Sequence, residues 1–294
     1  MTKIRGIYAA TLSIFNSDLS LNIAKTISHA NKLIDQGCHG TVFLGSTGQA
    51  QLIPISEKIK LLNSLANDQH KHKHIIGTGL NSLSETINFM KIANSLNFRK
   101  FLIMPPAYYK YEDEDVIRFF SKIIESVPDC KIILYNFEKL CGYKFSVKCV
   151  YELVKKFPDQ IIGVKDSSYN LFEDLKLDNF SIFPGSELKL LKGLEIGCAG
   201  IITATCNVTA ELSRKVYDNF LEKKKQTYNK KLCDVRIAFD NYNLISGLHS
   251  FYSRENKIYN NILPPLKLLD KNEEKFLFNR LKELNFSIDS TKAA

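Results

Sequence analysis

Long apolar runs are missing from this chain. None approaches the ~20 residues that a membrane-spanning helix needs. The N-terminal stretch MTKIRGIYAATLSIFNSD has basic residues but a short apolar segment and no small-residue cleavage site, so it reads as a first strand rather than a signal peptide. Paired cysteine spacing is also missing. The seven cysteines (Cys38, Cys130, Cys141, Cys149, Cys198, Cys206 and Cys233) are odd in number and none forms a C-x-x-C. That argues against a zinc site and a disulfide framework, and for reduced thiols in a cytoplasmic protein. No G-K-[ST] follows the glycine-containing turn at residues 45–49, so it is not a phosphate-binding P-loop. The histidines lack convincing metal spacing. His70, His72 and His74 fall in a loop entering a strand, and His39 reads as structural.

What is present is globular. The 294 residues are 45% hydrophobic and 24% charged, which excludes wholesale disorder. Lys and Arg number 40 against 31 Asp and Glu, a net charge of +9. The excess suits an anionic partner, but the lysines are dispersed and no nucleic-acid-binding motif accompanies them. The densest basic run, Leu221–Lys231, reads as a solvated helix surface.

Short apolar strands alternate with helical periodicity along most of the chain. Strands are expected at Ile7–Leu12, Thr41–Leu44, His74–Gly77, Phe101–Met104, Lys131–Tyr135, Ile161–Lys165, Ile182–Phe183 and Gly200–Ile202. Between them lie helices over Leu21–Gln36, from Ser56 as a cap, from Ser82 with a Ser82/Glu85 capping box, over Asp113–Ser126 and Val147–Phe157, a short one after Tyr169, one ending at Gly197, and Ala210–Lys224. Strands apolar throughout are those of a parallel sheet covered on both faces. Eight βα units point to a (β/α)8 TIM barrel over residues 1–224, with a doubly wound open sheet as the rival. Residues 225–294 read as a C-terminal helical extension.

In a barrel the chemistry gathers at the C-terminal ends of the strands. Strand two ends in Gly45-Ser46-Thr47-Gly48-Gln49, either an ordinary turn or a nest of N–H groups and hydroxyls for a carboxylate or phosphate. Strand four runs into Met104-Pro105-Pro106-Ala107-Tyr108-Tyr109, and strand five ends in Tyr135-Asn136. These tyrosines suit amphipathic packing or proton relay. Strand six ends in Gly163-Val164-Lys165-Asp166-Ser167-Ser168. A lysine there is either a solvated tip or an inward amine of the kind Schiff-base chemistry requires.

Taken in order, GSTGQ, PPAYY, YN, GVKDSS, PGSE and GIITAT resemble the pyruvate-dependent class I aldolase family, which includes N-acetylneuraminate lyase, 2-keto-3-deoxygluconate aldolase and dihydrodipicolinate synthase. The resemblance spans roughly the first 210 residues. It implies a TIM barrel with a helical C-terminal extension, assembled as a homotetramer of tight dimers, and no cofactor or metal. It further implies that Lys165 is the Schiff-base lysine and Tyr135 the general acid/base. Ser46 and Thr47 would grip the pyruvate carboxylate, Tyr109 would enter a neighbouring subunit's site, and Gly185 and Ile202 would line the pyruvate pocket.

This chain also departs from that pattern. The segment after Tyr135-Asn136 lacks the usual proline two places on, and Ala204 replaces a substrate-binding serine of the neuraminate lyases. Leu140 stands where the synthases carry an arginine for the aldehyde carboxylate. The expected reaction is therefore reversible cleavage of a 2-keto-3-deoxy sugar acid to pyruvate and an aldehyde. The alternatives are synthase-type condensation of pyruvate with aspartate semialdehyde, and a barrel that keeps the fold without the chemistry. The expected partners are these small molecules, with neither nucleic acid nor membrane.

Overall fold

The computed structural model describes residues 3–287. Eight parallel strands form the sheet: β1 through β7 pair with one another in sequence order, and β1 also pairs with β8. They are β1 (Gly6–Ala10), β2 (Gly40–Phe43), β3 (His74–Gly77), β4 (Lys100–Ile103), β5 (Lys131–Asn136), β6 (Ile161–Asp166), β7 (Ser181–Pro184) and β8 (Gly200–Thr203). The Ala199 N–H donates to the Ile182 carbonyl at 2.8 Å and brings β8 beside β7. This is a (β/α)8 TIM barrel. Where β8 meets β1, Gly200 has φ +147° and a Cβ on it would fall 1.9 Å from the Gly6 carbonyl oxygen, so the strands approach only because that residue is glycine.

The outer helices are α1 (Ile23–Asp35), α2 (Ile55–Leu65), α3 (Leu83–Ser95), α4 (Asp113–Ser126), the single turn α5 (Glu138–Cys141), α6 (Val147–Lys156), α7 (Leu190–Glu195) and α8 (Cys206–Leu221). Their starts carry sequence signals. The Asn22, Ser82 and Ser146 side chains accept the N–H groups of Lys25, Glu85 and Cys149. Two expectations fail. Ser56 does not cap α2, because Pro54 holds that position and the helix has already begun at Ile55. No helix follows Tyr169; the segment is a run of turns and bends. The reason is Asp166, whose carboxylate accepts the N–H groups of Tyr169, Leu171 and Phe172 at 2.9 Å each. A side chain thus satisfies donors that a helix would have used.

The extension is α9 (Asn229–Asp240), α10 (Leu244–Ser253) and α11 (Lys271–Glu283). Residues 288–294, the end of the expected extension, lie outside the described residues. Its apolar faces pack with Leu12, Ile14 and Val208 of the barrel. Polar bonds add direction. His29 of α1 bridges the Asn207 side-chain oxygen at 2.8 Å and the Tyr259 hydroxyl at 2.9 Å. On the same seam, Gln49 accepts the Leu263 N–H at 2.9 Å and meets the His249 ring at 3.4 Å. Burial pushes both His29 and His249 down to about 4. All seven cysteines are free thiols, and only Cys233 is not fully buried.

Candidate active site

Period-two alternation decides which side chains enter the barrel. On β5, Ile132 and Leu134 face the helices while Ile133 and Tyr135 face inward. On β6, Val164 faces the helices, so the next residue, Lys165, points inward. The register pairs Tyr135 with Lys165 and Asn136 with Asp166. Below them Tyr8, Val42, Ile75, Leu102, Ile133, Phe183 and Ile202 fill the interior. The lysine and the tyrosine therefore stand side by side on an apolar floor, at the end of the barrel where loops converge.

Lys165 is 4% exposed. Its Nζ sits 4.1 Å from the centroid of the Tyr135 ring, a cation–π contact. Among the described residues no carboxylate pairs with it. The Tyr135 hydroxyl lies 3.0 Å from Ser46 Oγ. Ser46 belongs to a turn built on two non-glycine residues in the left-handed region, Leu44 (φ 56°) and Gln49 (φ 55°). The turn is fastened by Ser13 Oγ, which donates to the Gly48 carbonyl at 2.7 Å, and by the seam contacts of Gln49. Thr47 beside it is buried.

These groups open into a cleft of about 680 Å³. Ser46, Thr47, Tyr135, Leu140, Lys165 and Gly185 all line it. Leu140, on α5, is 43% exposed at the rim. Gly185 donates its N–H to the Asp166 carbonyl at 2.9 Å, and a Cβ there would meet Ser167 Oγ at 2.2 Å. A second, mainly apolar hollow of about 380 Å³ adjoins at Ser46, Tyr135 and Leu140. Two expected residues are not in the cleft lining. Ile202 is fully buried in the layer beneath, and Tyr109 is 74% exposed on the β4–α4 loop, its ring edge-on to that of Tyr108.

Sequence reasoning missed one wall of the cleft. Arg236, Asp240, Tyr242, Asn243, Leu244 and Ile245 come from the extension. Arg236 Nη1 donates to Glu187 at 3.0 Å and to Thr205 Oγ1 at 3.0 Å, and its Nε donates to Asp240 at 2.8 Å. Glu187 is fully buried and also accepts the Thr203 and Thr209 hydroxyls. Burial works against the Arg236 charge, but Glu187 and then Asp240 outweigh it and hold the guanidinium above its usual range. In the sequence Arg236 and Asp240 look like an ordinary i, i+4 surface pair.

A buried amine beside a hydroxyl pair, at the C-terminal mouth of a TIM barrel, is the arrangement that the resemblance to the pyruvate-dependent class I aldolases implies. The Dihydrodipicolinate synthetase family model matches residues 3–284, and the chain belongs to that family, whose members are carbon–carbon lyases. A DapA-like lyase of Chloroflexus aurantiacus is 30% identical over 227 residues, covering 75% of this chain and 76% of its own. A 4-hydroxy-tetrahydrodipicolinate synthase of Methanopyrus kandleri is 27% identical over 301 residues, covering 96% and 97%. Among solved structures, the fold is similar to that of N-acetylneuraminate lyase from Fusobacterium nucleatum (TM-score 0.85, 21% identity, 96% of this chain and 99% of that one). It is similar also to a prophage protein of the dihydrodipicolinic acid synthase family from E. coli K12 in complex with pyruvate (TM-score 0.86, 24% identity, 96% and 99%).

Proposed function

We propose that the protein is a Schiff-base aldolase that reversibly cleaves a 2-keto-3-deoxy sugar acid to pyruvate and an aldehyde. The observation that carries this is the inward, carboxylate-free Lys165 against Tyr135, which is in turn bonded to Ser46. In its neutral form the Lys165 amine attacks the keto carbon of the substrate, and loss of water leaves a protonated imine. The Tyr135 oxygen, relayed through Ser46, takes the proton of the C4 hydroxyl. The C3–C4 bond breaks, its electron pair moves into the imine as an enamine, and the aldehyde leaves. Protonation of the enamine at C3 and hydrolysis return pyruvate and the free amine. Ser46, Thr47 and the turn's N–H groups hold the carboxylate still throughout.

The choice of a sugar acid rests on the rim. Leu140 cannot pair with an aldehyde carboxylate, and the arginine lining the cleft, Arg236, is already engaged by two carboxylates. The second reading, condensation of pyruvate with aspartate semialdehyde, is favoured by the relatives named as 4-hydroxy-tetrahydrodipicolinate synthases. The active unit in this reading is a homotetramer of tight dimers, in which the exposed Tyr109 reaches a neighbour's site. The protein works in the cytoplasm.

The test is borohydride reduction with pyruvate, followed by mass spectrometry of the peptide carrying Lys165. Pyruvate-dependent mass on Lys165 is expected. No adduct, or an adduct on another lysine, ends the reading. A substrate panel then separates the two reactions.

A further inference from the structure

We infer that the extension reads the tail of the substrate, and that the tail it accepts is an uncharged chain of hydroxyls rather than one ending in phosphate. This rests on the lyase reading above.

The cleft runs from Lys165 to a wall made by α9 and the start of α10. At that far end Arg236 answers two carboxylates, Glu187 and Asp240. These three groups alone therefore carry one negative charge in excess, and four of the five guanidinium N–H groups are already taken by Glu187, Thr205 and Asp240. A phosphate brought here would meet the carboxylates as well as the cation. A hydroxyl would not.

The free hydrogen-bonding capacity fits the same ligand. Both bonds from Arg236 fall on Asp240 Oδ1. Asp240 Oδ2 accepts nothing among the described residues, and the side chain is 36% exposed toward the cleft. The Asn243 side-chain oxygen is spent on the N–H groups of Ile245 and Ser246, which leaves its NH2 as a donor. Tyr242 adds a hydroxyl on the same wall. One strong acceptor, one amide donor and one hydroxyl that does both make a surface for a polyol. Charge-assisted bonds to Asp240 would dominate it.

Lys139 and Lys189 also line the cleft, Lys189 on the same turn as Glu187, and are the feature that would favour a phosphate. Lys139 is exposed, and Lys189 lies 5.7 Å over the Tyr169 ring. Their solvated ammonium groups are screened by salt and lack the geometry that a paired guanidinium imposes.

The test uses the full chain, with 2-keto-3-deoxygluconate and its 6-phosphate as probes. The unphosphorylated acid should be cleaved with a kcat/KM at least about tenfold higher. Asp240→Asn should raise KM for it by about tenfold with little change in kcat. Tyr242→Phe, a smaller change on the same wall, should move KM in the same direction. Borohydride trapping with pyruvate, which has no tail, should proceed in both variants at the wild-type rate, and this also reports that the barrel is folded. Equal or better cleavage of the 6-phosphate overturns the inference. So does a KM within twofold of wild type in both variants. Failure of trapping in the wild-type protein is a separate result: it removes the lyase reading, and this inference with it.

Discussion

The Tyr135 hydroxyl and Ser46 Oγ stand 3.0 Å apart although 89 residues separate them in sequence. One ends an inward-facing strand position, and the other sits on a turn fastened from below by Ser13. A bond of this length passes a proton without either group moving. The geometry fits a relay in which the phenol does the chemistry and the serine connects it onward.

Tyr135→Phe should therefore lower kcat by about 10²–10⁴-fold while still allowing imine formation on Lys165. Ser46→Ala should fall in the same direction by a smaller factor. Single-turnover cleavage alongside borohydride trapping checks both. A Tyr135→Phe protein with near wild-type kcat would reduce the tyrosine to a packing residue.

Lys165→Ala should abolish trapping and turnover together. Lys165→Arg should do the same, because a guanidinium stays protonated and cannot attack a carbonyl. Undiminished pyruvate labelling in either variant would move the nucleophile elsewhere.

Much of this was legible beforehand. Tyr135 and Lys165 were visible as strand-end residues, and the turn residues around Ser46 were visible as such, but which way the lysine points is decided by the strand register. Asp166 was less legible. A carboxylate that takes three backbone N–H groups replaces a helix with turns, and nothing in composition announces that trade. Arg236 was not legible at all. Its partner Glu187 is 49 residues away, and only the docking of α9 on the barrel brings them together.

Leu140→Arg should shift preference toward charged aldehydes, because it would set a bidentate partner at the rim. In the wild type, glyceraldehyde should outperform aspartate semialdehyde as acceptor for pyruvate. Competition assays with both aldehydes decide it, and faster condensation with the semialdehyde would favour the synthase reading.

In the dimer proposed above, Tyr109 would contribute in trans. Refolding inactive Lys165→Ala with inactive Tyr109→Phe should restore part of the activity, since a mixed dimer holds one site with both residues native. No recovery, with mixed dimers demonstrated, would confine Tyr109 to its own subunit or to no role.

Acid should loosen the seam between barrel and extension. His29 and His249 are held neutral down to about 4, whereas in the unfolded chain they take up protons near 6.5. Between those values the unfolded state binds more protons, so stability falls as pH drops through the window. Each histidine can contribute up to about 3 kcal/mol to that loss. Urea midpoints measured from pH 7 to pH 4.5 should fall, and His249→Gln should flatten the slope by about one proton. A slope unaltered in that variant would place the linkage elsewhere.

The seam at Gln49 also sets an order of assembly. The turn that carries Ser46 is clamped by His249 and by the Leu263 N–H, and the cleft wall begins at Arg236. A chain emerging from the ribosome has made all eight strands by residue 203 but has neither clamp nor wall. Its buried lysine is in place long before the surfaces that hold and sort a substrate exist. A chain stalled after β8 would thus lack both the clamp on Gln49 and the Arg236 wall, so in the proposed reaction competence waits on the helices that follow the barrel.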